Sequence, residues 1–107
     1  MNIAIIGCGT SGTIHAQIAA QSGHTIVACV DTAAERAEAL ASKFTARSSA
    51  EPLEVIRDDT VDAVAITSPL PSHMEYILCA IDAGKHVFCE APLAQTVDDA
   101  LGILDAA

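Results

Sequence analysis

Apolar positions follow two alternating rhythms along this chain. Ile3 to Ile6 is a short unbroken apolar run ending in glycine, and Thr25 to Val30 (TIVACV) is a second, rich in β-branched side chains. Runs without polar interruption predict strands buried on both faces, as in a parallel sheet. Asp62 to Thr67 (DAVAIT) and His86 to Cys89 (HVFC) repeat the pattern, and a fifth, weaker strand is expected at Ala46 to Ser48. Between these runs the period lengthens to that of helices. Ile14, Ile18 and Ala19 share one face of the segment Ser11 to Ser22, and Gly23 follows where a left-handed cap ends a helix. Thr32 with Glu35 predicts a capping box before a helix reaching Phe44, with Ala37, Leu40, Ala41 and Phe44 facing inward. Pro52 suits the first turn of a short helix from Glu51 to Arg57, because its missing N–H costs nothing there. Ser72 with Glu75 predicts a second box, leading into Ile77, Leu78 and Ile81 and stopping at Gly84, and a last helix starts near Thr96.

Strand and helix alternating with short links specify an α/β fold, a doubly wound parallel sheet of about five strands joined by right-handed crossovers. With 107 residues the chain holds one domain, residues 1–107. A six-stranded nucleotide-binding sheet would continue with a strand after the last helix, so the chain is expected to be truncated before a sixth strand. The edge and apolar face so exposed predict self-association or cover by a missing C-terminal domain.

Charge narrows the choice of ligand. The formal net charge is −9, and Arg36, Lys43, Arg47, Arg57 and Lys85 stand against fourteen carboxylates. Such a chain lacks the phosphate-neutralising surface that nucleic acid needs. An anionic ligand would have to be held by backbone N–H groups and a helix end. No apolar run approaches membrane-spanning length and the first residues carry no basic leader, so a soluble, cytoplasmic protein is expected, with no membrane partner. Cys8, Cys29, Cys79 and Cys89 form no C-x-x-C pair, which argues against a metal site or redox dithiol. Cys29, Cys79 and Cys89 read as buried thiols, while Cys8 lies in a turn.

That turn carries the chemistry. Gly7, Cys8, Gly9, Thr10, Ser11 and Gly12 fit G-x-G-x-x-G directly after the first strand and at the opening of the first helix. Gly7 permits the tight turn, Gly9 lets backbone approach a pyrophosphate, and Gly12 lets the helix pack close to the strand. The helix N-terminus adds free N–H groups and a positive dipole end, with Cys8 a spacer whose backbone matters more than its sulfur. Asp31 closes the second strand 19 residues beyond Gly12, where a carboxylate accepts hydrogen bonds from the adenosine ribose and repels a 2′-phosphate. NAD is therefore favoured over NADP. Thr32 follows in place of an arginine, with Arg36 one helical turn further on. The bland alternative, that Asp31 only caps the next helix, is open too. Thr67, Ser68, Pro69 and His73 lie in the loop after DAVAIT, and in an open α/β sheet such a loop passes beside the ligand.

The runs "IAIIGCGTSGTIHA", "VDTAAERAEALASKF", "VDAVAITSPLPSH" and "AGKHVFCEAPLA" resemble, in order, the N-terminal half of the Gfo/Idh/MocA oxidoreductases. The resemblance covers essentially the whole chain and implies a Rossmann domain for NAD or NADP, with sugar or polyol binding in a second domain. It places the pyrophosphate on Gly7, Gly9 and Gly12, the ribose on Asp31, the nicotinamide beside Ser68, Pro69 and His73, and Glu90 in the turn after the last strand. In that family the turn reads Glu-Lys-Pro, and the lysine is placed to polarise or protonate the substrate oxygen. Here it reads Glu90-Ala91-Pro92. Alanine can do neither, so no catalytic residue is assigned. Two readings stay open: the cofactor domain of a dehydrogenase acting on CH–OH groups, inactive alone, or a non-catalytic module that senses a dinucleotide or binds a partner.

Overall fold

The structure, a computed structural model, describes residues 1–67 and 73–89, with the backbone alone for His73 and Cys89. Five strands, β1 (Asn2–Ile6), β2 (Thr25–Val30), β3 (Arg47–Ser49), β4 (Ala63–Ile66) and β5 (His86–Cys89), make one sheet in the order β3-β2-β1-β4-β5. Every neighbouring pair is parallel. The helices α1 (Thr10–Gln21), α2 (Ala34–Phe44), α3 (Pro52–Ile56) and α4 (His73–Asp82) alternate with the strands.

Because side chains alternate across a strand, each unbroken apolar run supplies two cores. Ile3 and Ile5 pack with Ala16 of α1 and Ala37, Leu40 and Ala41 of α2. Ala4 and Ile6 point the other way, to Val55 and Ile56 of α3 and Ile77 and Ala80 of α4. The register of β1 against β2 slips between Ile3 and Ala4, so that Ile3 pairs with Ile26 but Ala4 with Ala28. This slip leaves Val27 as an extra residue and keeps Ala28 and Val30 on the α3–α4 side, with Cys29 opposite.

Among the described residues the expected strands and helices are present, with four differences of detail. Ile14 and Ile18 do not face the core; they are 49% and 56% exposed, and α1 meets the sheet through Gly12 and Ala16. Close approach of this helix to β1 requires small residues in the contact, which turns the larger isoleucines outward. The Thr32 capping box does not form: Ala33 occupies the cap position of α2 without a side-chain bond. Cys79 is only half-buried, while Cys8 and Cys29 are fully so. The weak strand is displaced by one residue, to Arg47–Ser49. Gly23 and Gly84 have positive φ of 91° and 74°, as expected of glycines ending helices, and Thr45 takes φ 55° after α2 without that excuse. Ser72, the helix from Thr96 and the EAP turn lie outside the described residues. No helix among the described residues is long and apolar enough to cross a membrane.

Candidate dinucleotide site

The sheet's order reverses between β1 and β4, since β2 and β3 run off to one side of β1 and β4 and β5 to the other. At such a switch point the loops leaving adjacent strands diverge to opposite faces and open a crevice at the strand carboxyl ends. The glycine turn after β1 forms one wall of it, and Thr67, just after β4, stands on the other.

The three motif glycines serve three physical demands. Gly7 has φ 101°, a left-handed conformation that a side chain would strain, and its N–H donates to Val30 O at 2.7 Å. A Cβ on Gly12 would lie 1.9 Å from Gly7 O and 3.0 Å from Thr67 Oγ1, so only glycine lets α1 start this close to the turn. Gly9 is different. Its φ of −79° suits any residue and a Cβ there would meet nothing within 4 Å. The open space above Gly9, an exposed residue like Thr10 beside it, leaves a cradle that a side chain would fill.

The start of α1 carries neither a side-chain cap nor a negative charge. Gly9 caps the helix without a side chain, and no acidic residue stands in the first turn. The opening N–H groups of a helix lack intrahelical partners and carry its positive end. Thr10, Ser11 and Gly12 provide these groups. Among the described cations, Arg47 pairs with Asp58 and the Lys85 ammonium donates to the carbonyls of Asp58 and Val61, so neither is committed to this corner.

Asp31 is tied into the same corner. It is the buried charged residue among those described, and its Oδ2 accepts from Cys8 N–H at 2.9 Å. Its Oδ1 accepts from Ala33 N–H at 2.8 Å and from Arg36 Nη2 at 3.0 Å. Burial pushes this carboxyl up, but the bonds from Cys8, Ala33 and Arg36 outweigh it and hold the group below the usual carboxylate range. The box is missing because α2 starts one residue later than it requires, with Ala33 at the cap and the Asp31 carboxylate accepting the Ala33 N–H, and Thr32 is left exposed. The contact with Arg36 was not foreseen. An aspartate three residues before a helix, with arginine in its first turn, is the signal that carries it.

At Cys8 the backbone N–H ties the glycine turn to Asp31. Its thiol donates to Val30 O at 3.3 Å, and bonding to Cys29, burial and the charge of Asp31 together push it far above the ordinary thiol range. Thr67 is a brace: its hydroxyl donates to Gly7 O at 2.7 Å, locking the glycine turn to the end of β4. Ser68, Pro69, Glu90 and Ala91 lie outside the described residues, as does the side chain of His73, whose backbone opens α4.

A family model described as an oxidoreductase family, NAD-binding Rossmann fold, matches residues 1–107. The chain belongs to the Gfo/Idh/MocA oxidoreductase family. It is 42% identical to inositol 2-dehydrogenase 3 of Saccharopolyspora erythraea over 99% of its own length and 32% of that protein's. Two solved family structures bracket the cofactor question. A myo-inositol dehydrogenase from Lactobacillus casei, in complex with NAD(H) and myo-inositol, superposes with TM-score 0.92 at 31% identity, covering 99% of this chain and 32% of that one. The 3-ketoreductase KijD10 from Actinomadura kijaniata, in complex with NADP and TDP-benzene, gives 0.88 at 28%, covering 100% and 34%. This Gfo/Idh/MocA chain thus spans about a third of the length of the relatives it matches and corresponds to their N-terminal, nicotinamide-dinucleotide-binding Rossmann domain.

Proposed function

We propose that this domain binds NAD in preference to NADP, as the cofactor-carrying part of an oxidoreductase acting on polyol or sugar CH–OH groups. The bond from Cys8 N–H to Asp31 Oδ2 carries the reading, because it joins the glycine turn and the acidic strand end into one rigid receptor. Main-chain N–H groups of Gly9, Thr10, Ser11 and Gly12 would face the pyrophosphate, with Gly7 shaping the turn and Cys8 and Thr67 holding it. Asp31 would accept the adenosine ribose hydroxyls, with Thr32 at its rim. The open space at Gly9 and the uncapped, acid-free start of α1 fit such a group. When bound, the nicotinamide supplies the carbon that takes up or gives hydride. The family resemblance puts Ser68, Pro69, His73 and Glu90 on that side.

Ala91 supports a companion statement: the chain alone transfers no hydride, since the position at which the family carries lysine has no ionisable group. Dinucleotide sensing without turnover is the reading this alanine favours next. The decisive test pairs calorimetric titration of NAD with a polyol and sugar screen followed by nicotinamide absorbance. Gly9→Val should keep the wild-type unfolding midpoint yet lose NAD affinity by at least about tenfold, as a Cβ branch enters the pyrophosphate approach. Unchanged affinity in that variant would remove the glycine turn from the site, and turnover by the wild-type chain would remove the inactivity assigned to Ala91.

A further inference from the structure

The first turn of α1 is held from its carbonyl side. An ordinary helix start is fixed by a serine, threonine or aspartate whose side chain takes one of the opening N–H groups. Here such a cap would consume amides that the proposed pyrophosphate site needs, and Gly9 at the cap position makes no side-chain bond. Without a Cβ, Gly9 has wide backbone freedom, so the peptide it shares with Thr10 needs another restraint. Thr13 supplies it. Its N–H donates to Gly9 O at 3.0 Å, and its hydroxyl donates to the same oxygen at 2.9 Å. Threonine can do this inside a helix because its Oγ1 reaches the carbonyl four residues back.

A peptide unit is planar and trans, so its C=O and N–H point in opposite directions. With Gly9 O drawn into α1 by two donors, the Thr10 N–H is turned away from the helix body, at the exposed start of α1. The Gly7–Cys8 peptide of the same turn shows the arrangement complete: Gly7 O accepts from the Thr67 hydroxyl, and the Cys8 N–H at its other end is bonded to Asp31. A carbonyl that accepts hydrogen bonds also polarises the N–H across its peptide, strengthening that donor by roughly 10–30% per bond. We propose that Thr13 is a positioning residue for the dinucleotide, its hydroxyl fixing and polarising the Gly9–Thr10 peptide so that the Thr10 N–H is held ready for the pyrophosphate. Thr13 itself touches no ligand. The inference rests on the reading of the glycine turn as the pyrophosphate site, and it adds a residue from outside the G-x-G-x-x-G motif.

The test is an amide NMR titration with NAD, alongside calorimetric affinities and thermal unfolding, on wild type, Thr13→Val and Thr13→Ser. Valine puts a methyl group where the hydroxyl stood, so water does not replace the bond, while Gly9 O keeps its main-chain partner and is not orphaned. Thr13→Val should unfold close to the wild-type midpoint, bind NAD about threefold more weakly and show a smaller Thr10 N–H shift at saturation. Thr13→Ser, which restores the hydroxyl, should recover both affinity and shift. A residue that merely supported the fold would lower the midpoint, and affinity would then follow the midpoint and not the hydroxyl. NAD affinity in Thr13→Val equal to wild type, or a loss that serine does not recover, overturns the role of Thr13 alone. A wild-type chain whose glycine-turn amides stay unmoved at NAD saturation overturns the pyrophosphate reading beneath it as well.

Discussion

Gly9 and Gly12 are the same residue type three positions apart, yet their missing side chains answer opposite needs. At Gly12 the space is filled by the protein, so Gly12→Ala forces a Cβ into Gly7 O and should cost about 3 kcal/mol or more in denaturant unfolding. At Gly9 the space is empty, and substitution there should be felt by a ligand and not by the fold. Asp31 extends the residue-scale account to pH. Its folded pKa lies below the ordinary carboxylate value, so its contribution to stability is complete above the unfolded pKa and is lost as pH falls through the lower folded one. Stability at this site should hold from neutrality to about pH 4 and decline below it. Asp31→Asn should flatten that acid limb in unfolding midpoints measured across pH. A limb of the same size in the variant would assign the acid sensitivity to other carboxylates.

The elements were largely legible because each apolar run had one compatible period. β2 and β5 coincide with the runs TIVACV and HVFC, and the glycines expected to end α1 and α4 do so at positive φ. What the chain did not disclose depended on neighbours distant in sequence. Hydrophobicity alone turns Ile14 and Ile18 inward, but α1 must nearly touch Gly7, and that contact selects Gly12 and Ala16 for the inner face. The T-A-A-E pattern predicts a capping box at Thr32, but the Asp31 carboxylate, held in place by Cys8 N–H, accepts the Ala33 N–H and α2 starts one residue later, with Ala33 at the cap. The candidate site was legible as a motif and an acidic strand end. The brace from Thr67 was not, because it arises only when the ends of β1 and β4 are brought side by side, whereas the pairing of Asp31 with Arg36, five residues on, had a local signal. At the end of α2, Thr45 takes the left-handed conformation with a β-branched side chain. Thr45→Gly should therefore raise stability by about 1 kcal/mol in denaturant unfolding; a loss would mean that the threonine side chain repays its strain.

Across the whole molecule, a chain of net charge −9 belongs to a family defined by binding a polyanionic cofactor. In the corner where β1 passes into α1 the first helical turn carries no acidic side chain, and the Asp31 carboxylate bonded to the glycine turn also accepts from Arg36. On the proposed reading, oriented amides at the start of α1 would hold the pyrophosphate, so that few lysines and arginines would suffice. The most direct test is an amide NMR titration of the isotopically labelled chain with NAD. The account predicts that the largest shifts fall on the N–H groups of Gly9, Thr10, Ser11 and Gly12, followed by those of Asp31 to Ala33. Shifts confined to other parts of the chain, with the glycine turn unmoved at saturation, would contradict it.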